Sequence, residues 1–414
     1  MLLRQLNMKK QTAHLTSITL LLFTIFLALP TLTNGQDNST EPDINFELGK
    51  GLSVTSSDGL ISAKLGIRLQ NLYSYVQNLD DSDQDILVES EIRRLRFMAT
   101  GYVYSPKIRY NIHHSLDRGN LRLFMAFLEF QVKENLKFGV GQFKSHASRQ
   151  FLVSSGNLAV LDRSTTDQRF MLFFDQGIYL KYNFDLGPVP VKTFFDFTAG
   201  EGINTHADPK GYQYVARVDF HPLGAFKAGG AYKEGDLAYE EDLKIALGGA
   251  YTFNNNTTRT DGERGTFLAA ESFDLETIFL DGVAKYQGAS LSFMYTDRTN
   301  SGLTSLTAQP AGISFDALSV PVFEGNGYYV QAGYIIDGKH GIFGRVEHIN
   351  PADDLLDNVG PTWNKSTKVL GNYTLFMKGH TLKWQIEGGL IFNDRPQQDL
   401  EHLLSIRTQF HINF

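Results

Sequence analysis

From residue 60 onward, apolar and polar side chains alternate with a period of two, in stretches of about 10 residues. In the stretch 60–76, Ile61, Ala63, Leu65, Ile67 and Leu69 fall on one face and Ser62, Lys64, Arg68 and Gln70 on the other. A period of two describes a β-strand with one greasy face and one wet face. The pattern recurs at 91–104, 107–117, 121–131, 136–143, 173–183, 191–199 and 212–220, then at 243–253, 272–285, 289–298, 327–336, 341–350, 368–377, 380–392 and 402–414. None of the 12 prolines lies inside these segments, as expected of a residue that cannot donate to a strand ladder.

This pattern predicts an all-β fold, a transmembrane antiparallel β-barrel occupying 60–414. A further alternating stretch, 226–233, would make seventeen strands and put the two chain ends on opposite sides of the membrane. Single-chain bacterial barrels have even strand numbers, so 221–242 is read as one periplasmic excursion and the count is about sixteen. The connections at 105–106, 133–135, 187–188, 285–288, 340 and 379 are then short periplasmic turns. The long connections 77–90, 144–172, 200–211, 254–271, 299–326 and 351–367 are then external loops. Closure gives every backbone N–H and C=O a neighbouring strand and leaves no edge facing lipid.

The face read as outward carries rings near strand ends: Tyr212, Tyr214 and Phe220, Tyr251 and Phe253, Phe293 and Tyr295, Tyr328 and Tyr334, Trp384 and Phe392. Such rings suit the membrane–water interface. Phe410, Ile412 and the terminal Phe414 share one face of the last strand. That ending resembles the signal read by the bacterial outer-membrane assembly machinery, so the machinery and outer-membrane lipid are expected partners.

Residues 1–35 have a basic start (Arg4, Lys9, Lys10), an apolar run from Leu15 to Leu29 and small residues at 33–35, the layout of a cleavable signal peptide. Residues 36–59 read as a polar lead-in, with room for a short hairpin around 51–57. Beyond the leader no apolar run approaches the roughly 20 residues of a transmembrane helix. The chain has no cysteine, which removes disulfides, thiolate metal sites and a cysteine nucleophile.

The formal charge of −7 becomes −10 once the leader's three basic residues are removed. That balance argues against nucleic-acid binding. It leaves an anion path open, because a pore selects by the charges lining it.

On the wet faces, Lys64 and Arg68 of the first strand face Arg94 and Arg96 of the second, and Arg109 follows on the third. Guanidinium groups offer fixed donors to phosphate or carboxylate, so these five residues are the candidate wall of an anion path. The alternative pairs them with lumenal carboxylates, Asp117, Asp175, Asp219, Asp274, Glu276 and Glu387, which keep the lumen wet and rigid. Arg93 alternates to the outside. The long connection 144–172 carries Lys144, His146, Arg149, Arg163 and Arg169. It either folds into the barrel as a constriction loop or remains a solvated surface loop.

Other chemistry is weakly represented. Gly139-Val140-Gly141 lacks the spacing and context of a nucleotide loop. His113 and His114 point to opposite faces, and no HExxH or GxSxG element occurs, so no catalytic residue, metal or cofactor is assigned. The clusters Asp80, Asp81, Asp83, Asp85 and Asp353, Asp354, Asp357 lack the register of a calcium loop and read as solvated.

Several segments resemble the phosphate-selective porin O and P family of Gram-negative bacteria: Gly59 to Gln70 (GLISAKLGIRLQ), Arg93 to Gly101 (RRLRFMATG), Gly141 to Lys144 (GQFK), Asp162-Arg163-Ser164 and Arg407 to Phe414 (RTQFHINF). The resemblance runs from about residue 50 to the end. It implies a sixteen-stranded, usually trimeric barrel with an inward-folded third external loop. Lys144 and Arg163 would flank that constriction, and Arg94 and Arg96 would line the wall nearby. Where the family often opens the next strand with Arg-Asp-x-Gly, this chain has Phe174-Asp175-Gln176-Gly177. The expected function is passive diffusion of small anions across the bacterial outer membrane. The alternative is a closed barrel that scaffolds or binds through its external loops.

Overall fold

A computed structural model describes residues 41–80, 86–205, 211–267, 272–301, 305–308, 318–353, 364–394 and 401–414. The signal peptide read at 1–35 lies outside the described residues, as do Asp81, Asp83, Asp85, Asp354 and Asp357 of the acidic clusters. The barrel with its inserts belongs to one unit, Pro42–Phe414.

The chain opens with a hairpin, β1 (Asp43–Glu47) and β2 (Gly51–Thr55). The barrel begins with β3 (Ile61–Asn78), β4 (Ile86–Val103), β5 (Ser105–Asp117), β6 (Asn120–Lys133) and β7 (Leu136–Lys144). It continues with β8 (Phe174–Leu186), β9 (Val189–Thr198), β10 (Gln213–Phe220), β11 (Lys244–Thr257), β12 (Phe273–Tyr286) and β13 (Ala289–Asn300). A small separate pair, β14 (Ser305–Ala308) and β15 (Leu318–Pro321), lies in the next connection. The wall is completed by β16 (Gly325–Ile336), β17 (His340–Pro351), β18 (Lys365–His380), β19 (Leu382–Asp394) and β20 (Glu401–Asn413).

Each barrel strand pairs antiparallel with its sequence neighbours, β13 with β16, and β20 returns to β3 through Leu403↔Asn78 to Asn413↔Arg68. The sheet therefore closes on sixteen strands, as the alternation predicts. β2 pairs with β3 at Leu52↔Leu65 to Thr55↔Ser62, just beyond the point where β20 runs out. The lead-in thus does form a hairpin, with 51–55 as its second strand and its turn at 48–50, where Gly49 and Gly51 hold the positive φ values (93° and 80°) that the reversal needs. This hairpin and the C-terminus mark one end of the barrel, called the near end below.

Burial alternates with the pattern inverted relative to a soluble protein. β10 reads Gln213, Val215, Arg217 and Asp219 inward, with Tyr214, Ala216 and Phe220 outward. Apolar side chains such as Leu280, Phe195, Val330 and Phe410 are exposed on the outside, while Thr252, Thr296, Gln385 and Gln409 are buried inside. Hydrophobic-out and polar-in is what a membrane-spanning barrel requires.

The two-residue turn Gln287-Gly288 and the first two residues, Asp337 and Gly338, of the three-residue turn 337–339 have positive φ, the primed geometry whose twist suits a tight hairpin. Pro106 and Pro190 are second residues of their strands and Pro351 a last one. The strands run further into the turns than the alternation shows, and proline is tolerated there because the ladder is ending.

Two sequence readings need correction. Between Gln70↔Arg94 and Asn71↔Ile92 the register slips by one residue. The extra residue of this bulge is Arg93, and a bulge re-aims its side chain, so Arg93 points inward with Arg94. Asp274 and Glu276 do not face the lumen: Phe273, Leu275 and Thr277 take the buried positions, and Glu276 is exposed, accepting from the Tyr251 hydroxyl at 2.8 Å. The two carboxylates alternate with Phe273, Leu275, Thr277 and Phe279, and Phe279 shares a buried cluster with Phe170 and Leu172 of a segment inserted into the lumen.

Candidate functional site in the lumen

That inserted segment is residues 145–173, the connection from β7 to β8, which runs inside the barrel and is almost wholly buried. It holds two short helices, α1 (Arg149–Leu152) and α2 (Thr165–Phe170). Ser148 and Ser164 cap them by accepting from the Phe151 and Asp167 N–H groups at 3.2 and 2.9 Å, satisfying donors that a first turn leaves free.

Side chains from around the wall hold this segment. Arg217 donates to the Ala147 carbonyl at 2.6 Å, Lys383 to the Gly156 carbonyl at 3.0 Å, Thr374 to that of Ala159 at 2.6 Å and Arg345 to that of Asp162 at 2.8 Å. From the opposite end of the barrel to the hairpin, the connection after β11 folds onto α2, where Arg264 donates to the Gln168 and Arg169 carbonyls at 2.6 and 2.8 Å. From the near end, the 221–243 connection reaches in as well. Its Glu234 accepts from the Ala159 N–H at 2.8 Å and from Gln150 at 3.0 Å. The irregular backbone of these segments is tolerable at membrane depth because protein surrounds it.

The lumen is therefore divided. One cavity of about 480 Å³ lies between the 145–173 segment and the inner faces of β3–β6 and β8, and is lined by Arg68, Arg93, Arg94, Arg96, Arg118, Lys144 and Arg163 with Asp117 and Asp162. A second, of about 370 Å³, opens beside the near-end turn at 378–381 and is lined by Lys227, Lys233, Lys285, Lys378, His380 and His411. Arg68 and Gly156 meet at the boundary, and Arg68 lines both cavities.

Arg68 is 6% exposed. Its Nη1 and Nη2 donate to the Ser155 and Ser154 hydroxyls at 3.0 and 3.1 Å, and its Nε has no partner. Among the described residues it makes no ion pair with a carboxylate. A Cβ on Gly156 would stand 2.8 Å from the Arg68 Cζ, so the glycine leaves the guanidinium its space.

Arg96 pairs with Asp117 at 2.8 Å and reaches Ser155 at 3.4 Å. Arg94 donates to Gln70 at 2.8 Å and pairs with Asp162 at 3.3 Å, and Arg93 also holds Asp162. Burial works against charge on Asp162, but Arg93, Arg94 and Arg407 outweigh it and hold its carboxyl well below the usual carboxylate range. Lys144 sits 4.4 Å from the centre of the Phe151 ring, and Arg163 donates to the Gln150, Phe151 and Val153 carbonyls.

Of the residues singled out from sequence, Arg68, Arg94, Arg96, Lys144 and Arg163 meet around one cavity. Lys64 and Arg109 do not join them. Lys64 is exposed beside the hairpin, four residues from Arg68, or about 13 Å along the strand. Arg109 is exposed at the near end, bonded to the Pro106 carbonyl at 3.1 Å, and pairs in register with Tyr102, six residues from Arg96. Inward phase was legible for both, but depth was not.

Arg149 and Arg169 lie in the inserted segment with other partners. Arg149 meets Asp281 at 2.7 Å and Asp219 at 3.0 Å on the far wall. Arg169 stacks 3.8 Å from the centre of the Phe323 ring, near Asp261. Arg93 was missed because a bulge has no periodic signature. Lys227 and Lys233 were missed because 221–242 reads only as a connection, and Lys285 and Lys378 because they stand where β12 and β18 run into their turns.

Comparison with known proteins agrees with this architecture. The family model of phosphate-selective porin O and P matches residues 64–356. An uncharacterised protein of Aquifex aeolicus (strain VF5) is 24% identical over 322 residues, covering 72% of this chain and 69% of its own length. Among solved structures, the anion-selective porin from Comamonas acidovorans superposes with a TM-score of 0.54 at 11% identity, covering 85% of this chain and all of that one. Salmonella typhi OmpF gives 0.53 at 10% identity, covering 84% and 98%. The OmpT loop L8 deletion mutant of Vibrio cholerae gives 0.52 at 12%, covering 85% and 99%. At these identities the likeness is one of fold.

Proposed function

Because the chain belongs to the phosphate-selective porin O and P family of the bacterial outer membrane, we propose that it is a passive channel preferring small anions, with the path running through the two basic cavities that share Arg68. The observation that carries this reading is Arg68 itself, a buried guanidinium held by two serine hydroxyls and lining both cavities. Two neutral hydroxyls leave its charge uncompensated, so it attracts an anion and exchanges donors with it. The 145–173 segment acts as the constriction, with its Arg163 and the adjoining Lys144 of β7 on the cavity side. Homotrimeric assembly and recognition of the Phe414 end by the assembly machinery belong to the same reading. The relative from Comamonas acidovorans, an anion-selective porin by name, supports it.

The test is the reversal potential of purified protein in a planar bilayer across a KCl gradient, wild type against the Arg68→Ala, Arg96→Ala double variant. Anion preference that collapses in the variant supports the path, and cation preference in the wild type refutes it. The inward packing of both 145–173 and 221–243 favours a second reading, a closed barrel that scaffolds through its loops, and absence of stepwise conductance would bring that reading forward.

A further inference from the structure

Part of the wall of the larger cavity is apolar. Phe124 of β6, Phe151 and Phe173 of the inserted segment and Phe174 of β8 form one ring cluster. Phe124 and Phe174 stack at 4.8 Å, Phe173 and Phe174 meet edge to face at 4.8 Å, and Phe151 and Phe173 stack at 5.8 Å. Met125 and Met171 pack against it. Phe124, Phe151 and Phe174 are buried and fix the segment to the wall. Phe173, Met125 and Met171 keep part of their surface free and line the cavity.

Cations touch this wall directly. The Arg96 Cζ lies 4.9 Å from the centre of the Phe124 ring and the Lys144 Nζ 4.4 Å from that of Phe151. A ligand within the cavity therefore meets charge and ring together. A bare hydrated anion gains nothing from rings and thioethers, and approaching them strips water that they cannot replace. An anion carrying a flat apolar body gains on both sides, its charged group on the guanidinium wall and its body on Phe173 and the two methionines. A volume of about 480 Å³ accommodates a single-ring solute.

We infer that the preferred solutes of this channel are small organic anions with a flat apolar body, aryl carboxylates or aryl phosphates, rather than inorganic phosphate. This rests on the anion-channel reading above and narrows it. The test uses the full barrel in a planar bilayer, with phenyl phosphate or inorganic phosphate added while chloride current is recorded. In the wild type, phenyl phosphate half-blocks the current at a concentration about tenfold lower than phosphate does. In Met125→Ala, Phe173→Ala the two half-block concentrations fall within about twofold, and that for phosphate is unchanged. Phe173→Leu keeps the apolar volume, guards against misfolding, and loses part of the preference. Equal half-block by both anions in the wild type, or a preference that survives both variants, overturns this inference and leaves the anion channel standing. Equal block by neutral benzyl alcohol also overturns it, since the charge would then contribute nothing. If neither anion interrupts the current and reversal potentials show cation preference, the anion-channel reading falls and takes this inference with it.

Discussion

On the β10–β12 side of the lumen, Arg217 meets Asp219 and Asp281, each at 2.7 Å, and Arg149 of the inserted segment meets the same two carboxylates. Two cations face two anions, all four buried. On the β3–β8 side, Arg68 has two serine hydroxyls and Lys144 an aromatic ring and a carbonyl, and among the described residues neither pairs with a carboxylate. The residue types are the same, but their compensation differs. Where charges are paired within the protein they fasten the segment to the wall. Where they are not, they remain available to a solute. The chain's overall acidity bears on neither, because selectivity follows the local balance along the path.

The largest expected effect breaks the compensated side. Asp281→Ala leaves Arg149 and Arg217 short of a partner in a buried site, at a cost of about 3–5 kcal/mol. It should appear as a lowered unfolding midpoint in denaturant and as noisy conductance from a loosened segment. An unchanged midpoint would mean that these pairs do not anchor it. Arg68→Ala should do the reverse. Its two hydrogen bonds to serine are worth about 1 kcal/mol each and their loss is offset by relief of a buried charge, so the midpoint stays near wild type. The anion-to-cation permeability ratio, however, falls by at least about threefold. A variant that loses stability and keeps selectivity would erase the contrast between the walls.

Asp162→Asn sharpens the comparison from within the cavity. Arg93 and Arg94 lose their counter-charge, so anion preference should rise by about twofold, read from reversal potentials; a fall would show that Asp162 positions the arginines for the solute. Gly156→Ala puts a methyl against the Arg68 guanidinium, whose flexible end must give way. Single-channel conductance should fall modestly with little change in selectivity. Lys64→Ala and Arg109→Ala, at the near-end mouth, should change neither quantity beyond error, and a change matching that of Arg68→Ala would place the filter at the mouth.

The barrel was legible because period-two alternation acts at every residue, and lipid outside with water inside admits one solution. Sixteen strands follow from that pattern once 221–242 is set aside. The site was legible only in part. Inward phase picks out Arg68, Arg94 and Arg96, but not Arg93, whose bulge breaks the period. Nor does phase give depth, which separates Lys64 and Arg109 from the cluster. The pairing that distinguishes Arg149 from Arg68 depends on how 145–173 crosses the lumen, and contacts between residues 70 and 132 positions apart leave no local trace. Phe279 of β12 is the mirror case, an apolar residue turned to the lumen where Phe170 and Leu172 of the inserted segment cover it.

The proposed path runs past Arg68, where the two cavities meet, and Ser154 lines the larger cavity beside it. The chain contains no cysteine, so Ser154→Cys introduces a single reactive thiol at that boundary, on a segment whose hydroxyl now accepts from Arg68 at 3.1 Å. Single channels carrying it should be exposed to an anionic and a cationic methanethiosulfonate of similar size. Stepwise block by both reagents, faster with the anionic one, is the predicted result. Full conductance after complete labelling, or faster reaction with the cation, would contradict the account.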